Sequence, residues 1–167
     1  AEVLTAAAFG TVCTPTTYTN VCAPSSIAQP SCDPFGNIQG VWFTFNTGTA
    51  TSVNMDLNLV TAPEIAFNVY DACGGNEILC STFPNFGAGT TNIIGGLTPA
   101  TDYYIQMWNA GGAAAGEFAL CLNEAPPAPA NDDCANAEAL TVNVAEDCPA
   151  NQVMGTTESA TYEELLL

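Results

Sequence analysis

From Ser52 to Leu59 every second residue is apolar: Val53, Met55, Leu57 and Leu59 alternate with Asn54, Asp56 and Asn58. Successive side chains of a strand point to opposite faces, so a period of two describes a strand with one face in a core and the other in water. The pattern returns from Glu64 to Asp71, with Ile65, Phe67 and Val69 inward. It returns again at Val41, Phe43 and Phe45, with Trp42 on the opposite side, at Tyr103, Ile105 and Met107, and at Phe118, Leu120 and Leu122. Turn residues separate these runs: Gly74-Gly75-Asn76, Gly95-Gly96-Leu97-Thr98-Pro99-Ala100 and Gly111-Gly112. No stretch keeps helical apolar spacing over several turns. About seven or eight short strands at regular intervals make the fold all-β, a disulfide-stapled β-sandwich of jelly-roll type.

Eight cysteines supply the staples: Cys13, Cys22, Cys32, Cys73, Cys80, Cys121, Cys134 and Cys148. A zinc site of this size would show CxxC pairs or histidines, and the chain has neither. An even count with short intervening loops reads as disulfides formed in an oxidising compartment.

All 17 ionisable charges on carboxylate and basic side chains are acidic, because lysine, arginine and histidine are absent. Without a cation the chain cannot neutralise nucleic-acid phosphates or hold anionic lipid headgroups, so neither is a partner. A histidine-based triad, a lysine Schiff base and phosphoryl transfer on a P-loop are excluded as well. A pair of carboxylates of the glycosidase kind is the one acid–base device left. Asp56, Glu64, Asp71, Glu77, Asp102 and Glu117 sit at strand edges or on polar faces, with no apolar bulk around them to raise a pKa; they read as solvated. The expectation is no catalytic residue and no enzyme. Calcium is the one ion the chemistry permits, through oxygen ligands at Asp132 and Asp133, although no DxDxDG loop exists and a turn and capping role is the better reading of these residues. Trp42, Tyr104 and Trp108 fall on the strand faces opposite the core; the favoured reading is that these rings cover the second sheet or pack under loops, and the alternative, if that face is open, is a surface contact patch suited to stacking on a polysaccharide.

Residues 125–130 read Ala-Pro-Pro-Ala-Pro-Ala, the composition of an extended spacer. After it, Ala137-Glu138-Ala139-Leu140-Thr141 restates Ala1-Glu2-Val3-Leu4-Thr5, with a cysteine about a dozen residues on in each copy, Cys13 and then Cys148. The expected organisation is a sandwich over residues 1–124, a linker over 125–130, and over 131–167 the start of a second repeat or a strand-donating tail. No run approaches the ~20 apolar residues of a membrane-spanning helix. The start at Ala1-Glu2 reads as a mature or excised terminus, and the abrupt Leu165-Leu166-Leu167 end reads as a window from something longer.

The order of motifs resembles the tandem extracellular repeats of Bacteroidota surface proteins, similar in pattern to bacterial pre-peptidase C-terminal domains. The resemblance is carried by Asn131-Asp132-Asp133-Cys134-Ala135-Asn136-Ala137, Cys13-Thr14-Pro15, Val41-Trp42-Phe43-Thr44-Phe45, Val69-Tyr70-Asp71-Ala72-Cys73-Gly74, Leu97-Thr98-Pro99 with Tyr103-Tyr104-Ile105, and Phe118-Ala119-Leu120-Cys121. It implies a noncatalytic module of a large secreted or cell-surface protein on the outside of a Gram-negative cell, exported by type 9 secretion. It further implies a stalk, a filament or an adhesin such as those of gliding motility, or an accessory module of a secreted hydrolase. The expected partners are adjacent repeats or identical neighbouring subunits, joined in a fibre by β-strand addition, and surface polysaccharide.

For the cysteines, Gly74-Gly75-Asn76 would turn the chain and bring Cys73 to Cys80, and Cys134 and Cys148 would form a second local pair. No counterpart of Cys134 precedes Cys13, so Cys22 is expected to replace it, leaving Cys32–Cys121 by elimination. The tail has little apolar bulk beyond Leu140, Val142, Val144, Val153, Met154 and Tyr162, and two strands are marginal alone, so it should need a partner surface.

Overall fold

The computed structural model describes residues 1–8, 10–24, 29–33, 38–82, 84, 91–126, 129–132, 134–140 and 154–155. Two compact units divide the chain, Ala1–Ala125 and Pro126–Leu167.

The first unit is all-β. Its strands are β1 (Glu2–Leu4), β2 (Thr16–Thr19), β3 (Gly40–Asn46), β4 (Val53–Leu59), β5 (Ala66–Tyr70), β6 (Glu77–Ser81), β7 (Thr91–Ile94), β8 (Asp102–Trp108) and β9 (Glu117–Glu124). They form a front sheet in the order β1-β3-β8-β5-β6 and a back sheet in the order β2-β9-β4-β7. The alternating residues face each other between the sheets. Phe43, Phe45, Phe67, Val69 and Ile105 from the front meet Val53, Met55, Leu57, Phe118, Leu120 and Leu122 from the back in one core.

The N-terminal residues close one edge of the sandwich by serving both sheets. β1 runs parallel to β3, with Glu2 opposite Phe43 and Leu4 opposite Phe45. The chain then crosses, and Ala7 bridges Asn123 of β9, donating to Leu122 O at 2.8 Å and accepting from Glu124 N at 2.8 Å. Leu4, 8% exposed, enters the core.

Two disulfides fasten this unit, Cys13–Cys121 with Cα atoms 6.0 Å apart and Cys32–Cys80 at 5.9 Å. Both depart from the pairing expected from spacing, and the strands explain why. Cys13 and Cys22 lie at opposite ends of β2, and the pairing of Thr16 with Leu120 carries Cys13 alongside Cys121. Cys73 belongs to a tight turn, where Asn76 donates from its backbone to Asp71 Oδ1 at 2.7 Å and Asp71 N donates to Asn76 O at 3.1 Å. Tyr70 pairs with Glu77, so Cys80 lies three strand residues further on, about 10 Å at ~3.3 Å per residue, opposite Asn68. It cannot reach Cys73. Cys32 cannot meet Cys121 because its loop lies on the front sheet at β6 whereas β9 is in the back sheet. Cys22 and Cys73 are free and exposed. The expected Cys134–Cys148 pair lies outside the described residues. In the second unit the described part is a turn and a short 3-10 helix, Cys134–Asn136, and Leu140 is 69% exposed.

Candidate binding face and its family

The outer face of the front sheet carries the residues that the sequence placed opposite the core. Register aligns Trp42 of β3 with Gln106 of β8 and Asn68 of β5, and aligns Thr44 with Tyr104 and Tyr70. The Trp42 and Tyr70 rings lie 5.4 Å apart at 37°. Trp42 and Tyr104 are half-buried, so part of each ring faces outward.

Trp108 does not belong to this patch. It is fully buried with Ile38, Ala66 and Ala110 in a second, smaller core, against which Cys80 packs. The loop of residues 29–33 is fastened over this region. Asp33 Oδ2 accepts from Trp108 Nε1 at 3.3 Å, the Ser31 backbone and hydroxyl both donate to the Glu77 carboxylate, and Cys32 is bonded to Cys80. Two polar residues of the same outer face, Asn68 and Gln106, are also 0% exposed. Asn68 Nδ2 donates to Tyr70 Oη at 2.7 Å and to Glu77 Oε2 at 3.0 Å, while its buried Oδ1 meets no donor among the described residues. Burial first, and then the Glu77 charge, push the Tyr70 hydroxyl above its ordinary range. It therefore stays a neutral hydrogen-bonding group.

Several of the carboxylates accept hydrogen bonds of their own. Asp56 accepts from Thr91 at 3.0 Å, Asp102 from Asn46 at 2.7 Å, and Asp71 from Asn76. Hydrogen bonds from the Asn76 side chain and backbone hold Asp71 below the usual carboxylate range. Among the described residues no three His, Cys, Asp or Glu side chains converge to hold a metal. Asp132 donates from its backbone to Pro129 O at 3.0 Å in a turn, and Asp133 lies outside the described residues.

A cleft of about 580 Å³ opens at the edge closed by β1, lined by Glu2, Tyr18, Pro24, Gly40, Val41 and Trp42, among others. It continues the line of β1 alongside β3. Next to it Asn20, 0% exposed, ties three segments together: its amide donates to Gln39 O at 3.0 Å, and its Oδ1 accepts from Gly116 N at 2.8 Å. Nothing in the sequence singles out Asn20, Asn68 or Gln106, because a polar residue covered by a loop breaks the alternation by which cores are read.

The two sheets and their disulfides define a disulfide-stapled β-sandwich. The chain belongs to the galactose binding domain-like family associated with type 9 secretion, whose model matches residues 4–119. With its disulfides, that association makes it a secreted protein. Among solved structures it is similar to the pre-peptidase C-terminal domain of a collagenase from Bacillus anthracis, with 10% identity, a TM-score of 0.44, and coverage of 73% of this chain and 95% of that one. It is also similar to PliG, a periplasmic inhibitor of g-type lysozyme from Aeromonas hydrophila, with 11% identity, a TM-score of 0.36, and coverage of 73% and 96%. No curated protein matches the chain.

Proposed function

We propose that the chain is a noncatalytic, load-bearing repeat module of a large secreted or cell-surface protein, a segment of a stalk or adhesin. The observation that carries this reading is the Cys13–Cys121 disulfide. It joins the residues just after the N-terminal strap to the last strand before the Pro linker, spanning a sequence separation of 108. Tension applied at the two ends of the chain runs from the strap through the disulfide into the linker and bypasses the sandwich between. The restart of the Ala-Glu-x-Leu-Thr opening after the linker supports a tandem array in which such a load path would be repeated.

Force spectroscopy on the full chain, pulled from its ends, tests this. The oxidised chain should show no long extension step. Reduction should release the residues between Cys13 and Cys121, about 390 Å at ~3.6 Å per residue. Equal extension before and after reduction would remove the disulfide from the load path and sink the reading.

A second reading, a carbohydrate-binding accessory module, is favoured by the half-exposed Trp42 and Tyr104 beside Tyr70 and by the family's description. With no cation, such a face suits neutral sugars. Retention of the chain on neutral surface polysaccharide, lost in Trp42→Ala and Tyr104→Ala, would support it; equal retention of all three would oppose it.

A further inference from the structure

We propose that residues 134–140 of one copy dock on the β3 edge of a second copy in the place of its β1, and that Cys134 of the first is locked by a disulfide to Cys22 of the second. The inference rests on the repeat-module reading and specifies how modules join.

The first argument is like-for-like replacement. Glu138-Ala139-Leu140 matches Glu2-Val3-Leu4, and the acceptor seat is known from the latter: a parallel ladder against Phe43 to Phe45, with the leucine in the core. Leu140, equivalent to the buried Leu4, is exposed in its own unit. β1 is an edge strand with three ladder pairs, so exchanging it sacrifices little that the incoming copy does not restore.

The second argument is the cleft. In parallel register, residues that precede the motif run backward along β3, beside Trp42, Val41 and Gly40, and this is where the 580 Å³ cleft lies. In the donor, the residues preceding Ala137 are Cys134-Ala135-Asn136, a single 3-10 turn in the free chain that docking extends into strand conformation.

The third argument is cysteine arithmetic. Cys134 stands three residues before Ala137, so in that register it falls opposite Gln39. The Gln39 carbonyl is held by Asn20, two residues from the free, exposed Cys22, and the intervening chain continues to Pro24 in the cleft wall. Local pairing of Cys134 with Cys148, which spacing alone favours, conflicts with the observed bond: Cys13 is the counterpart of Cys148, and it bonds to the β9 cysteine, not to a cysteine ahead of its own motif. The repeat frame then leaves the cysteine ahead of the motif for Cys22. The bond forms by thiol–disulfide exchange. One thiolate attacks a small-molecule disulfide and releases one small thiol. The second protein thiolate then displaces the other, so two protein thiols are oxidised and one small disulfide is reduced.

The test uses the full chain in a background of Cys73→Ser and Cys148→Ser, equilibrated with a small-molecule disulfide and its thiol and run on a non-reducing gel. The parent should give a covalent ladder. Cys22→Ser alone and Cys134→Ser alone should each remain monomeric, whereas an equimolar mixture of the two should give a dimer, since one supplies the donor cysteine and the other the acceptor. Leu140→Asp should slow ladder formation by at least about tenfold, because it removes a leucine that docking buries. The substituted residues Cys22 and Leu140 are exposed, so folding is retained, and the intact Cys13–Cys121 and Cys32–Cys80 bonds report it. A parent that stays monomeric with those two bonds formed, or a mixture that gives no dimer, would overturn the proposal and leave the load-bearing module untouched.

Discussion

Trp108 shows how far a residue's environment can depart from its place in a strand pattern. Alternation puts it on the outer face with Trp42 and Tyr104, and the register agrees. A loop then lands on that face, and the same ring becomes the centre of a small core with its indole N–H satisfied by Asp33. Trp108→Ala should therefore cost about 3–5 kcal/mol, the range for deleting a buried large aromatic. Trp42→Ala, at a half-buried site, should cost much less, and paired urea denaturation curves decide between these expectations. Asp71 behaves in the opposite way, since its surroundings are legible from the neighbouring Gly-Gly-Asn turn. Its carboxyl is held below the ordinary value by Asn76, so its contribution to the turn is present above the unfolded-state value and is lost as pH falls through the folded-state value. Titration of the Asn76 backbone amide by NMR should show a transition centred below the usual aspartate range. Asp71→Asn should abolish it; an unshifted midpoint would contradict the hydrogen-bonded turn.

Strands divide into those that sequence reveals and those that it hides. β3, β4, β8 and β9 each carry three or more alternating apolar residues, and β5 carries Phe67 and Val69 with Ile65 just ahead of it, because each contributes an inner face to the one core. β2 is Thr-Thr-Tyr-Thr with only Tyr18 half-buried, and β7 buries Asn92, whose amide donates to Met55 O, while exposing Ile93 at 58%. Polarity in these two follows the sheet edge, so hydrophobic period cannot find them. Cysteine pairing was hidden for a related reason. Spacing measures distance along the chain, whereas β2 and the β5–β6 hairpin carry nearby cysteines apart. The approach of β9 to the turn before Ile65 is a close contact that only the fold discloses. A methyl on Gly116 would overlap the backbone of Ala62 and Thr61. Gly116→Ala should destabilise by about 1–3 kcal/mol through overpacking, read as a lowered midpoint of thermal unfolding. An unchanged midpoint would mean that the β9 entry relaxes freely.

At the scale of the whole molecule, the absence of cations and the disulfides act on different stages of the same hazard. With no lysine or arginine, a trypsin-type protease has no cleavage site even in the unfolded chain. An aromatic-directed protease does have sites, at eight Phe, five Tyr and two Trp, and of these Phe43, Phe45, Phe67, Phe118 and Trp108 are buried in the native state. Cleavage at those buried sites thus follows the population of the unfolded state. Cys13–Cys121 closes a loop of sequence separation 108, which by chain entropy is worth about 4–5 kcal/mol. Cys121→Ser should then raise the rate of cleavage after Phe43, Phe45, Phe67, Phe118 and Trp108 by about a thousandfold, read by mass spectrometry of the fragments, when reclosing is fast relative to cutting. Trypsin should leave both proteins intact, before and after reduction. A Cys121→Ser variant cut no faster than the parent would show that the β9 staple adds nothing to the sandwich, and the load path through it would then have no role in holding the module folded.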